Sequence, residues 1–356
     1  MSLPITEVGH HDISVLMSPG TEKRQSMQGF DDDYVDIVDY IVRCTHKIWE
    51  ERGMGLIYTH YKHNVIVHTP YGTMYGRDAM LASSIFTLQA FPDRRAYADD
   101  VVWGGNDEEG FYSSHRITNV ATNWGHSRYG PPTGRKFTAM TLADCLVAEN
   151  RVCEEWLVRD EISMVRQLGL DVKAVVAKLA RQKQAAAADA QEPVAAIERV
   201  KGQMTPEVMP PKPDDEFEIE DFVRRTWHEI WNWRRFDRVR QHYAPNYLCH
   251  TDGGRELYGQ DQYIQWVMSL LATFPDGQMN IDHFCALGDP QQGYRAAVRW
   301  TFLGTHLMPG LFGEPTGKRV RLMGISQLHV RDGKFAAEWS LFDELGLRVD
   351  LYTPEA

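Results

Sequence analysis

Apolar residues spaced three and four apart open the first regular stretch of the chain. Val35, Val38, Ile41, Val42, Thr45, Ile48 and Trp49 share one helical face, and Asp31, Asp32 and Asp33 stand before it, where a helix N-terminus favours negative charge. Gly53 and Gly55 break this helix, and a short one follows through Leu56, Ile57 and Tyr58. The period then changes. Residues 65–68 (Val-Ile-Val-His) read as an apolar strand, residues 69–76 as a glycine-containing turn, and residues 77–90 as a second long helix, stopped by Pro92. Strand-like runs follow at about 98–103, 111–122, 136–147 and 151–158, separated by Gly, Asn, Asp and Pro. Asp160 opens a closing helix that runs to Leu168 and stops at Gly169. Three helices followed by a meander of long strands predict an α+β fold. A mostly antiparallel sheet with helices on one side wraps into a cone, and the mouth of a cone is a natural pocket.

The same order of elements returns from about Phe217. Glu154-Glu155-Trp156 and Asp160 align with Ala337-Glu338-Trp339 and Asp343 at an offset of 183 residues. Phe91-Pro92-Asp93, Tyr75-Gly76-Arg77-Asp78 and Pro132-Thr133-Gly134-Arg135 all repeat at that offset, and Arg116 falls on Arg299. Further upstream the offset drops to 182: His46-Lys47-Ile48-Trp49 falls on His228-Glu229-Ile230-Trp231, Tyr61 on Tyr243, and His68-Thr69 on His250-Thr251. One residue is therefore inserted between the two blocks of the second copy, and the chain is two copies of one domain. An arm spans residues 1–30, the first domain 31–170, an extension and linker 171–215, and the second domain 216–356. The extension is helical in character through the Ala-, Lys- and Gln-rich residues 173–191. The proline-rich residues 209–213 form a stiff linker. The second copy also carries a clear hairpin turn, Arg331-Asp332-Gly333-Lys334.

Composition narrows the function classes. A length of 356 residues suits two domains, and 43% apolar residues suffice for two ordinary cores. A net charge of −11 without a basic cluster argues against nucleic acid and anionic membranes as partners. Cys44, Cys145, Cys153, Cys249 and Cys285 are odd in number and lack metal-site spacing, so they read as buried thiols in a reducing compartment. With no signal-peptide pattern and no long apolar run, the cytoplasm is the expected location.

The residues from Gly304-Thr305-His306 through Pro315-Thr316-Gly317-Lys318 to Asp332-Gly333-Lys334 and Glu338-Trp339 resemble the SnoaL-like polyketide cyclases of the nuclear-transport-factor-2-like superfamily. The first copy resembles them through Tyr75-Gly76-Arg77-Asp78, Pro132-Thr133-Gly134-Arg135, Glu154-Glu155-Trp156 and Gln167-Leu168-Gly169. The resemblance implies a curved sheet around a deep apolar pocket, often in a dimer. It implies hosted activities from aldol cyclisation, isomerisation, dehydration and C–C lysis to plain ligand binding. The tandem would then supply an intramolecular pseudo-dimer, with a homo-oligomer as a further option. Fold does not settle function.

Cofactor-free carbanion chemistry needs a base and donors for the developing oxyanion, and a carboxylate in an apolar pocket acquires a raised pKa. Asp144, in the apolar run 140–147, is the leading base: alternation puts it with Leu142 and Leu146, and the second copy has Gln327 there. The alternative is a polar residue on a solvated sheet face. His115, replaced by Val298, or His68, which recurs as His250, is the expected proton shuttle; surface or capped histidines are the bland readings. By alternation His115 and Arg116 face opposite sides. Tyr58, Tyr61 and Tyr75 are candidate oxyanion donors or core tyrosines, and Trp124 is a further candidate substrate contact. Asp160 and Asp343 fit helix N-caps, and the family resemblance retains each as a candidate base. Trp156 and Trp339 read as core. His250, His306 and Asp343 would mark a second pocket if the second domain keeps one. His60 and His63 have a metal-like spacing but no acidic pair beside them, so no metal is expected. The expected function is an acid–base lyase, isomerase, dehydratase or cyclase without cofactor, acting in domain 1 on a small, partly apolar oxygenated molecule. The competing expectation is a non-catalytic hydrophobic-ligand-binding or scaffold protein.

Overall fold

The computed structural model describes residues 4–9, 13–187, 205–212 and 216–354. Helix α1 (Ile13–Leu16) lies in the arm, and α2 (Ile37–Trp49) opens the first domain, with Asp36 as N-cap accepting from the Asp39 amide. Then come α3 (Ile57–His60), β1 (Tyr61–Thr69), β2 (Gly72–Tyr75), α4 (Arg77–Ala90), β3 (Arg95–Asn106), β4 (Gly110–Thr122), β5 (Lys136–Ala148), β6 (Arg151–Arg159) and α5 (Glu161–Gln167). Helix α6 (Val172–Ala187) follows; residues 188–191 of the expected extension and Pro213 of the expected linker lie outside the described residues. The second copy runs α7 (Ile219–Trp227), a π turn (His228–Asn232), α8 (Asp237–His242), β7 (Tyr243–Thr251), β8 (Arg255–Tyr258), α9 (Gly259–Thr273), β9 (Gln278–Asp289), β10 (Gly293–Thr305), β11 (Arg319–Arg331), β12 (Lys334–Leu341) and α10 (Glu344–Tyr352).

Each copy builds a six-stranded sheet of one topology, β2-β1-β6-β5-β4-β3 and β8-β7-β12-β11-β10-β9. The first and last long strands pair in parallel (β1 with β6, β7 with β12), and the other neighbours pair antiparallel. Strands β9, β10 and β11 start and end 183 residues after β3, β4 and β5, whereas β7 starts and ends 182 after β1. The inserted residue thus sits in the turn between β7 and β8. Both β5–β6 and β11–β12 turn through two residues with positive φ, Glu149 and Asn150 in one, Asp332 and Gly333 in the other. That backbone matches the twist of the flanking strands.

In domain 1 the helices lie on the face carrying the odd-numbered residues of β4, β5 and β6. Register pairs Ser113 with Cys145 and Cys145 with Glu155, and the same face supplies Phe111, Cys145 and Val147 to a core shared with Ile37, Tyr40, Ile41 and Ile48 of α2. The arm is part of this core, although it has little regular structure. Val8, Leu16, Met27 and Phe30 are buried in it, and the Phe30 ring meets Tyr40 edge-on at 5.1 Å and Phe111 at 5.9 Å. Cutting Phe30 to Ala should lower the stability of domain 1 by about 3–5 kcal/mol, the usual cost of a buried Phe→Ala cavity. Urea unfolding measures it, and a change below about 0.5 kcal/mol, ordinary for surface sites, would detach the arm from the core.

Candidate functional site

A cavity of about 290 Å³ opens in domain 1 between α4, the ends of β4, β5 and β6, and α5. In domain 2 a pocket that shares three aligned lining positions with it, Trp266, Leu270 and Phe342, encloses only about 20 Å³, and a separate cavity of about 490 Å³ is lined by Val208, Phe217, Phe222, Trp233 and His242. The duplication explains the difference residue by residue. Four domain 2 positions hold aromatic side chains, Trp266, Trp300, Phe302 and Phe342, where domain 1 has Ser83, Ile117, Asn119 and Arg159 at the 183 offset. Trp266, Trp300 and Phe342 line the small domain 2 cavity, and Ser83, Asn119 and Arg159 line the large one. A linked exchange completes the change. Phe302 lies so close to Gly277 that a Cβ there would meet its ring at 2.3 Å, while domain 1 pairs Arg94 with Asn119 at the same two positions. At these four positions domain 1 carries non-aromatic side chains where domain 2 carries rings, while Phe86 and Phe137 of domain 1 align with Ser269 and Val320.

The polar wall of this cavity is cationic. Arg94 Nε donates to Asn119 Oδ1 at 2.9 Å, Asn119 Nδ2 donates to Thr141 Oγ1 at 2.9 Å, and the Arg94 guanidinium lies 4.5 Å from the Trp49 ring centroid. Arg94 faces the cavity and so keeps some accessible surface, yet protein encloses it. That desolvation, with the like charge of Arg159 nearby, pushes its pKa down to about 9. Glu50 opposes the shift, but its oxygens bond Arg95 and the Ala96 amide. Among the described residues neither Arg94 nor Arg159 has an ion-pair partner. Phe86, Phe91, Phe137 and Met164 supply the apolar walls.

One carboxylate lines the cavity. Glu161, the first residue of α5, accepts from the Tyr71 hydroxyl at 2.9 Å and lies 3.7 Å from Arg128, whose guanidinium sits over the Tyr71 ring at 3.7 Å. Its counterpart Glu344 is clamped by Arg255 at 2.6 Å and Arg348 at 2.7 Å. Those arginines become Gly72 and Val165 in domain 1. Glu161 therefore keeps the buried place of a structural acid but has one long ion pair in place of two short ones.

A second carboxyl lies deeper on the same face. Burial pushes Glu155 up to about 7, against the opposing charge of Arg159 and a hydrogen bond from Tyr61. Glu338 repeats it at about 7, raised by burial and opposed by hydrogen bonds from Tyr247 and Ser340. His115 stands one row from Glu155 on this face, and burial lowers its pKa to about 4, so its imidazole is neutral at pH 7.

The structure does not bring Asp144 and His115 together. Asp144 pairs in register with Ser114 and Trp156, on the face away from the helices, where it is buried at 3% exposure. His68 is on that face too, stacked on Trp156 at 5.3 Å with Nε2 2.7 Å from Glu154 Oε1; His250 stacks on Trp339 at 5.4 Å. His115 pairs with Ala143, and Ala143 and its neighbour Asp144 point to opposite faces, so Asp144 and His115 do not share a pocket. Asp160 and Asp343 cap α5 and α10 through the amides of Ser163, Leu345 and Gly346. Tyr58, Tyr75 and Trp124 are exposed at 45%, 73% and 61% and line none of the described cavities. Tyr61 is buried against Glu155, its hydroxyl 3.4 Å from the carboxylate. His306 is fully buried and its Nδ1 accepts from the Thr316 amide, as Asn123 Oδ1 accepts from Thr133. It pins the Pro-Thr-Gly loop. His60 bonds Tyr34 and Thr59, and no cluster able to hold a metal occurs among the described residues. No helix among them is long and apolar enough to cross a membrane.

The residues that sequence reasoning missed are Arg94, Asn119, Arg159, Glu161 and Glu155. The signal for three of them was present: at aligned positions of the two copies, Gly277, Phe302 and Phe342 face Arg94, Asn119 and Arg159.

Comparison with known proteins follows the same division of the chain. The family model described as SnoaL-like polyketide cyclase matches residues 221–351. No curated protein matches the chain. Among solved structures, AclR from Streptomyces galilaeus is 23% identical over 38% of this chain and 86% of its own, with a TM-score of 0.33. IdmH from Streptomyces antibioticus is 25% identical over 37% of this chain and 98% of its own, with a TM-score of 0.33. TsrD from Streptomyces laurentii is 21% identical over 39% of this chain and 100% of its own, with a TM-score of 0.34. Residues 221–351 match the SnoaL-like polyketide cyclase family model, and the preceding copy repeats their six-stranded topology in tandem.

Proposed function

We propose that domain 1 is an acid–base enzyme needing no organic cofactor, of the lyase, isomerase, dehydratase or aldol-type cyclase kind. Its substrate is a small, partly apolar oxygenated molecule held in the 290 Å³ cavity. Glu161 serves as the base that removes a proton next to a carbonyl. The electron pair of the broken C–H bond moves onto the carbonyl oxygen, and Arg94, oriented by Asn119 and Trp49, faces that oxyanion. The proton returns from Glu161 to carbon in an isomerisation, or stays available for a leaving hydroxyl in a dehydration. A cation already desolvated needs little reorganisation when negative charge develops beside it. The observation that carries the reading is the release of Glu161 from the double arginine clamp that holds Glu344.

The test is deuterium exchange of the protons next to the carbonyl of 2-tetralone and phenylpyruvate, followed by proton NMR in D2O. The wild-type chain should exchange them above the buffer rate, and Glu161→Gln should lower the enzymatic rate by roughly 10²–10⁴-fold, the usual worth of a positioned base. Exchange by the Gln variant at the wild-type rate would remove Glu161 as base. The second reading, a ligand-binding protein, is favoured by the engagement of Glu161, the one carboxylate of the cavity lining, with Tyr71 and Arg128. Binding of both ketones with no exchange would select it.

A further inference from the structure

The two unpaired guanidiniums of the domain 1 cavity exceed what a single developing oxyanion requires. Arg94 is tied at Nε to Asn119 and backed by Trp49, which fixes the plane of its fork. Arg159 ends β6 and pairs in register with Thr141, and its guanidinium makes no ion pair or hydrogen bond among the described residues. Each carries charge into a space whose other walls combine Phe86, Phe91, Phe137 and Met164 with the hydroxyls of Ser83, Thr87 and Thr141 and the Arg128–Glu161 pair. Two like charges there oppose one another; the buried Glu155 offsets Arg159 and Glu50 offsets Arg94 in part, while Glu161 is engaged by Tyr71 and Arg128. Domain 2 has Gly277 and Phe342 at these positions. The charges therefore accompany the cavity and are not needed to build the fold.

We propose that the substrate of this cavity is an oxo-carboxylate: Arg159 takes its permanent carboxylate, Arg94 faces its reacting carbonyl oxygen, and its apolar body lies against Phe86, Phe91 and Phe137. The proposal rests on the reading of the cavity as a substrate site. Carboxylate is favoured over phosphate by the donors present. A guanidinium matches carboxylate and phosphate alike through two parallel hydrogen bonds, so the rest of the lining decides. Neither a lysine nor a glycine-rich loop joins the lining, as phosphate cradles commonly require. The volume is at the lower limit of ligand pockets, about 300 Å³, which suits one ring and a short acid chain.

The experiment uses the full chain at fixed ionic strength and follows binding by isothermal titration calorimetry with phenylacetate, with the neutral phenylacetamide, and with inorganic phosphate. Phenylacetate should bind at least tenfold more tightly than the amide. Arg159→Gln should erase that preference while leaving amide binding within twofold, and circular dichroism should show the variant folded. Arg159→Phe, which installs the domain 2 residue, should erase it as well. Equal affinity for acid and amide in the wild-type chain would overturn the proposal, as would tighter binding of phosphate than of phenylacetate. Glu161→Gln separates this proposal from the catalytic reading. Loss of exchange with the acid preference intact supports both. Unchanged exchange with the preference intact sinks only the base, and a lost preference in the wild-type chain sinks only the carboxylate.

Discussion

A chain carrying Arg94→Gly with Asn119→Phe should fold, bind no ligand in domain 1 and show no enzymatic exchange. The double change writes the Gly277–Phe302 pair of domain 2 into domain 1. In domain 2 the Phe302 ring occupies the space that a side chain on residue 277 would need, so the two changes fit only together. Arg94→Gly alone should enlarge the cavity and weaken catalysis, and Asn119→Phe alone should clash with Arg94. The pair also removes a desolvated cation without an acidic partner and substitutes ring contacts, an exchange that is commonly neutral or stabilising. The thermal midpoint should therefore remain within a few degrees of wild type while deuterium exchange falls to the buffer rate. Adding Ser83→Trp, the counterpart of Trp266, should close what space remains. A folded double variant with undiminished exchange would place the chemistry outside this cavity. The unfolding curve makes that result interpretable, since a collapsed domain would lose activity for another reason.

The duplication made the fold legible well beyond the level of element type. Offsets of 182 and 183 located the insertion at the β7–β8 turn, and the long strands β4 and β5 have counterparts of equal length in β10 and β11. Which sheet face wears the helices was not legible. Strand β5 buries residues on both faces, Leu142 and Asp144 on one, Ala143 and Cys145 on the other, so its hydropathy does not single out one face. Alternation correctly grouped Asp144 with Leu142 but could not say that this group points away from α2 and α4. The same ambiguity hid Glu155, because the Glu-Glu-Trp motif contains one acid paired with His68 and one deep in the core. The cavity was invisible for a further reason. It depends on the summed volume of side chains from α4, β4 and β6, and such volumes meet only once tertiary packing sets them opposite each other. Comparing the copies for lost aromatics, rather than for acids replaced by amides, would have pointed to Asn119 and Arg159.

The two buried acids give the molecule a pH signature that the Glu338→Gln variant should expose. Glu155 and Glu338 occupy equivalent positions, are buried, and are raised from 4.5 to about 7, chiefly by desolvation. The phenols that bond them come from different places: Tyr61 at the start of β1 serves Glu155, while Tyr247, four residues into β7, serves Glu338. The sign follows from proton counts. A folded-state pKa above the unfolded value means that the native protein holds the proton more tightly, so this stabilisation is fully present below about pH 4.5 and is lost as pH rises to about 7. At about 1.4 kcal/mol per pH unit, each acid should cost its domain about 3 kcal/mol across that window, and more alkaline pH adds nothing further. Glutamine keeps a carbonyl for the Tyr247 and Ser340 hydroxyls and carries no charge to desolvate. Glu338→Gln should therefore match wild type near pH 4.5 and exceed it by about 3 kcal/mol at pH 8 in urea unfolding of domain 2. Taking the difference between variant and wild type cancels contributions from carboxylates held below their ordinary range, such as Asp33 and Asp93. A difference that stayed constant from pH 4.5 to 8 would mean that Glu338 titrates at the same pH in both states. The low-dielectric interior assigned to domain 2 would then be wrong.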